Sequence, residues 1–203
     1  MFGYKGIWLT IGLAALAGVF LLGASILNRP YHFRGSVIEP ALSAPQLHLV
    51  DQKGKLFQLS EARGKVVLLF FGYTNCPEEC PTTLAQFRQI YSDLGNQADQ
   101  VQMLFVTVDP IHDTPQQLGS YLTQFKSNMI GLTGSPEELT AVWKAYGVYV
   151  EVPEWGYSSP PSQVAHSNVV YAIDRRGNLR LTYTYGTPTD DMLQDVRALV
   201  KEG

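Results

Sequence analysis

Cysteine is almost missing from this chain: two residues in 203. Two cysteines cannot make the disulfide framework of a small secreted scaffold, so the fold must rest on a hydrophobic core. Apolar residues, at 45%, are sufficient to build one. Charge is scarce as well, at 16% of residues with a formal net charge of −3. No basic cluster of the kind that phosphate backbones require is present, which argues against nucleic acid as a partner. Internal repeats and low-complexity tracts are also lacking, so a solenoid or a long disordered tail is not expected.

One long apolar run is present. Gly6 to Leu27 reads GIWLTIGLAALAGVFLLGASIL, 22 residues without a charge. At about 1.5 Å per helical residue this spans a hydrocarbon core of about 30 Å. A cleaved signal peptide is the competing reading, but its apolar region is usually about 7–15 residues. The run is therefore read as an uncleaved anchor occupying residues 1–27. Lys5 precedes it and Arg29 and Arg34 follow it, so charge bias does not orient it. Residues 28–44, with Pro30 and Pro40 and no clear period, read as a tether, and residues 45–203 as one domain.

Within that domain Val66-Val67-Leu68-Leu69-Phe70-Phe71 is apolar on both faces, as a central strand covered from both sides would be. Leu84, Phe87, Tyr91 and Leu94 then share one face of a helix. Val101–Val108 reads as a second buried strand. Thr114-Pro115-Gln116-Gln117 and Ser135-Pro136-Glu137-Glu138 read as starts of two further helices. Pro153 to Ser162 reads as a proline-rich loop, and Asn168–Ile173 and Asn178–Tyr185 as a hairpin around Arg175-Arg176-Gly177. A last helix begins near Thr189. Alternating strands and helices with a terminal hairpin predict an α/β domain, a central mixed sheet flanked by helices on the thioredoxin-like plan, plus the N-terminal transmembrane helix.

The chemistry gathers at Gly72-Tyr73-Thr74-Asn75-Cys76-Pro77-Glu78-Glu79-Cys80-Pro81, where the buried run gives way to a helix. Pro81 disfavours the α conformation at Cys80, which predicts a helix starting at Pro81 with both cysteines on the turn before it. A helix N-terminus favours thiolate, whereas Glu78 and Glu79 oppose it. The wider spacing leaves room for a metal ion and still permits a disulfide. Two thiolates select copper(I) or zinc, and an imidazole suits either. Of the four histidines, His32 falls in the tether and His48 in a strand. His112 lies in a loop between Asp109 and Asp113, and His166 directly precedes an apolar strand. Spacing alone does not choose a ligand among them.

Three blocks, GYTNCPEECPTTL at Gly72–Leu84, VTVDPIHDTP at Val106–Pro115 and HSNVVYAID at His166–Asp174, resemble the Sco/SenC family. These are thioredoxin-like proteins of cytochrome c oxidase copper-site assembly. The resemblance implies a copper ion, Cu(I) or Cu(II), held by Cys76, Cys80 and His166, with Asp109 and Asp113 in support. It departs at Ala165, where family members commonly carry aspartate, and a lost carboxylate there would weaken copper(II) binding.

The function it implies is a copper chaperone that takes copper from an upstream donor and delivers it to the CuA domain of oxidase subunit II. The domain would stand on the extracytoplasmic (periplasmic) side of the inner membrane. The alternative is a thiol–disulfide reductase in which Cys76 and Cys80 keep the subunit's cysteines reduced. A thiol peroxidase is disfavoured, because the residues seven and three before Cys76 are Leu69 and Tyr73 rather than the proline and the threonine or serine usual there.

Overall fold

The computed structural model describes residues 31–151 and 164–202. The expected anchor at Gly6–Leu27 and the loop from Pro153 to Ser162 lie outside the described residues. Among those described, no helix is long and apolar enough to cross a membrane. Strands are β1 (Ser36–Ser43), β2 (His48–Asp51), β3 (Leu56–Gln58), β4 (Val66–Gly72), β5 (Val101–Thr107), β6 (Ile130–Thr133), β7 (Val150–Glu151), β8 (Ala165–His166), β9 (Val169–Ile173) and β10 (Asn178–Thr184). Helices are α1 (Glu79–Leu94), α2 (Pro115–Thr123), α3 (Pro136–Tyr146) and α4 (Thr189–Glu202).

Eight strands form one mixed sheet in the order β1-β10-β9-β4-β5-β6-β2-β3. The β4, β5 and β6 strands run parallel, and β9 lies antiparallel to β4 on its other side. All seven residues of β4 are buried, as a strand covered on both faces must be. α1 packs on α4 and α4 on β4, while α2 packs on β6 and α3 on β2. Phe71 meets Tyr146 and Tyr171 at centroid separations of 5.5 and 5.9 Å, joining α3 and β9 to the central strand. Ser135 and Glu138 cap α3 reciprocally, as the sequence predicts. Thr114 accepts the Gln117 amide at the start of α2.

One boundary moves. Part of the expected tether is β1, paired with β10 through Ser36↔Thr182 and Val37↔Leu181, then through Leu42↔Leu179 and Ser43↔Asn178. The register shift between Val37 and Leu42 contains Pro40, which lacks an N–H for the ladder. An edge strand with nearly every side chain exposed shows no apolar alternation, which is why its sequence resembles a linker. The buried Asp195 of α4 fixes the chain just before β1, accepting from the Arg34 and Gly35 amides at 3.0 and 2.8 Å.

Candidate metal centre

β4 ends at Gly72, and the chain turns so that the Cys76 N–H donates to the Tyr73 carbonyl at 3.3 Å. α1 then begins at Glu79, two residues before the expected start. Pro81 lies in the first turn, where its missing N–H would have had no partner in the helix, so the helix tolerates it. Cys80 therefore sits inside the helix, and its N–H donates to the Cys76 sulfur at 3.3 Å. No side-chain cap comes from Glu78. The Cys76 sulfur fills that place.

The two thiols are free and unlike. Cys76 is half-buried. The Cys80 thiol donates to it and the Cys80, Glu78 and Glu79 amides surround it, which together hold its pKa down from 9.0 to about 5. Cys80 is fully buried, and its hydrogen bond to Cys76, its burial and the Cys76 charge push it far up. At neutral pH the pair is one thiolate and one thiol. The Glu78 and Glu79 side chains are exposed and their amides lower Cys76, while the Glu79 charge helps to raise Cys80, so the expected opposition falls on the second sulfur. Gly72 makes room for the second sulfur: a Cβ there would lie 2.7 Å from Cys80 Sγ and 2.9 Å from Phe105.

The turn is tied to the next loop from below. Asp113 is completely buried and accepts the Thr74 amide at 3.1 Å, the Thr74 hydroxyl at 2.5 Å and the Thr107 hydroxyl at 2.6 Å. Burial raises its pKa, against the pull of those donors. Asp113 thus braces the cysteine turn and does not cap α2. Asp109 is also buried and holds His112 through Nδ1 at 2.8 Å. His48 and His32 are exposed, as expected of histidines with no role at the site.

His166 lies in β8, which among the described residues pairs with β7, through Val150↔His166 and Glu151↔Ala165. Its ring meets the Tyr73 ring edge-on, with centroids 5.7 Å apart at 80°. Nδ1 is 3.2 Å from the Val164 carbonyl. A carbonyl can only accept, so Nδ1 carries a proton, and in the neutral ring the lone pair is then on Nε2. That Nε2 is buried and, among the described residues, has no hydrogen-bond partner. Tyr73 closes the circuit, its hydroxyl accepting the Val164 amide and donating to the Cys76 sulfur. Burial, then the two cysteine charges, raise the phenol to about 12.

The structure thus brings Cys76 and Cys80 into direct contact and carries His166 to the same neighbourhood through Tyr73. Among the described residues no three His, Cys, Asp or Glu side chains close into a ready-made cation cluster. The donor set still suits a soft ion: one thiolate, a second sulfur beside it, and an imidazole nitrogen with a free lone pair. Sequence reading missed Tyr73, which it used only to exclude a peroxidase.

Fold and site together define a thioredoxin-like α/β domain with a reactive Cys-x3-Cys turn at the end of its central strand. Residues 37–201 match the SCO1/SenC family model, and the chain belongs to that family. A Stutzerimonas stutzeri protein, named provisionally as copper-binding, is 39% identical over 138 residues, 67% of this chain and 66% of the relative. The structure of Arabidopsis thaliana ScoI with copper bound is 30% identical, with a TM-score of 0.71 over 79% of this chain and 99% of that one. BsSco, described as a Sco-family cytochrome c oxidase assembly protein with a disulfide switch, is 26% identical, with a TM-score of 0.67 over 83% and 99%.

Proposed function

We propose that this protein binds copper through Cys76, Cys80 and His166 and delivers it to the CuA site of cytochrome c oxidase subunit II. The observation that carries the reading is the buried Nε2 of His166, unpartnered among the described residues, on a ring that touches Tyr73, whose hydroxyl rests on the Cys76 thiolate. Copper is cargo here, not a resident catalyst. A shell of two sulfurs and one nitrogen is incomplete, so ligands of the accepting subunit can enter before the donor's ligands leave. In this reading an upstream donor loads the site, and Gly6–Leu27 anchors the domain to the inner membrane with its site on the extracytoplasmic side.

Copper stoichiometry on the 203-residue chain in detergent, with absorption and X-ray absorption spectroscopy, tests this. One copper per chain with sulfur and one nitrogen donor is expected, and His166→Ala should lose the nitrogen. Full retention of that nitrogen in the variant would remove His166 from the site.

A thiol–disulfide exchange role remains a second reading because of one observation: Cys76 is held as thiolate beside a protonated Cys80, the arrangement an attacking sulfur and its resolving partner need. Reduction of a CuA-domain disulfide by the copper-free protein, abolished by Cys76→Ser, would favour it.

A further inference from the structure

Tyr73 touches all three proposed donors. Its amide donates to the Cys80 sulfur, its hydroxyl donates to the Cys76 sulfur, and its ring packs on His166. Its side chain is 4% exposed, so these contacts form away from solvent. The same hydroxyl accepts the Val164 amide, and the Val164 carbonyl in turn accepts from His166 Nδ1. Val164 is itself buried, which fixes the backbone between those two bonds.

Resting on the copper reading above, we infer that Tyr73 is a positioning residue that couples the two halves of the site. Its hydroxyl ties the Cys76 sulfur to the Val164 backbone, and that backbone presents His166 with Nε2 open.

Among the described residues, little else holds His166. β8 has two residues and one partner strand of two. Ala165, where a carboxylate could have oriented the imidazole, is exposed and pairs with Glu151. The Val164 carbonyl supplies the acceptor that selects the tautomer. Holding that carbonyl in place then falls to the Tyr73 hydroxyl. A phenylalanine would keep the ring contact and lose the tie.

Tyr73→Phe in the 203-residue chain tests the link. Removing a group that orients a metal ligand typically costs about 10–100-fold in affinity, and a copper(I) loss in that range is expected. Because Tyr73 acts through His166, Tyr73→Phe/His166→Ala should bind no more weakly than His166→Ala alone. In the copper-free protein, imidazole 15N shifts should report Nδ1–H at His166 in the parent and mixed tautomers in Tyr73→Phe. Hydrogen exchange at the Val164 amide should be faster in the variant. Equal affinity losses with and without His166 would place the effect on the sulfurs and overturn the coupling. Unchanged tautomer and exchange would overturn it too. If His166→Ala alone leaves copper affinity intact, the copper reading of His166 fails, and the copper-free measurements still decide the link.

Discussion

The two proposed sulfur donors stand where a fully buried seven-residue strand meets a sixteen-residue helix, whereas the proposed nitrogen donor stands on a two-residue ladder. Around Cys76 and Cys80 the turn is held by helix amides, by the space at Gly72 and by Asp113 underneath. Around His166 the bonds among the described residues are few: the Val164 carbonyl, and Ser167 exchanging bonds with Tyr149 at 3.0 Å. Local stability follows the density of buried contacts, so the two halves differ in what it costs to move them. On the proposed reading of copper delivery, the lightly held donor is the one to surrender first.

The sharpest way to break that contrast is at its foundation. Asp113→Ala strands the Thr74 amide and two threonine hydroxyls, and a buried unsatisfied group costs on the order of 1–3 kcal/mol. The hydroxyls can turn toward other acceptors and the amide cannot, so a loss of about 2–4 kcal/mol is expected in urea unfolding of the copper-free protein. Thr74 should also become protease-accessible. A loss under about 1 kcal/mol would mean that the cysteine turn stands without its brace.

Gly72→Ala should cost less, about 1–3 kcal/mol, the usual range for overpacking. The added Cβ meets Cys80 Sγ at 2.7 Å and Phe105 and Phe70 at 2.9 and 3.0 Å. A sulfur can swing aside more easily than two core rings, so the Cys80 thiol should become more reactive toward an alkylating probe. An unchanged alkylation rate with lowered stability would show that the rings moved instead.

These two residues also mark how far the sequence could be read. The cysteine pair was legible because a buried run, a turn and a helix pattern bracket it, and the fold class followed from the same alternation. His166 was not singled out by spacing, and only the family resemblance named it. Asp113 stands beside the Thr114 helix start, and nothing in a linear pattern shows its side chain turning back 39 residues to Thr74. β1 was hidden because an exposed edge strand leaves no period, and the β7–β8 ladder is too short to have one. Tyr73 sits three residues before Cys76, where spacing says nothing of a hydroxyl that reaches the histidine strand.

Acid should weaken the cysteine half more than the rest. The folded Cys76 value, about 5, lies below its ordinary 9.0, so the thiolate favours the fold above the ordinary value and that contribution fades as pH falls through about 5. Cys80 acts in the opposite sense, since its raised value costs stability once unfolded thiols ionise above about 9. Tyr73, Tyr121 and Glu79 are further titratable groups that interact with the pair. Between pH 7 and 4 the copper-free parent should lose stability more steeply than Cys76→Ser, and thiolate absorbance near 240 nm should fall by one equivalent. Parallel stability profiles would remove the thiolate from the fold's support.

The smallest change is expected at the other end of the comparison. His166→Ala in the copper-free protein gives up one hydrogen bond, worth about 0.5–1.5 kcal/mol net, and an edge-on contact worth about 0.5–1.5 kcal/mol. It also removes a buried nitrogen with no partner, which was costing on the order of 1–3 kcal/mol. These oppose one another, so unfolding free energy should shift by no more than about 1 kcal/mol, in either direction. Such a near-zero result, alongside loss of the copper-bound nitrogen, is what a donor kept for cargo would give. A loss above about 2 kcal/mol would make His166 a packing residue instead, and the contrast between a braced half and a yielding half would fail.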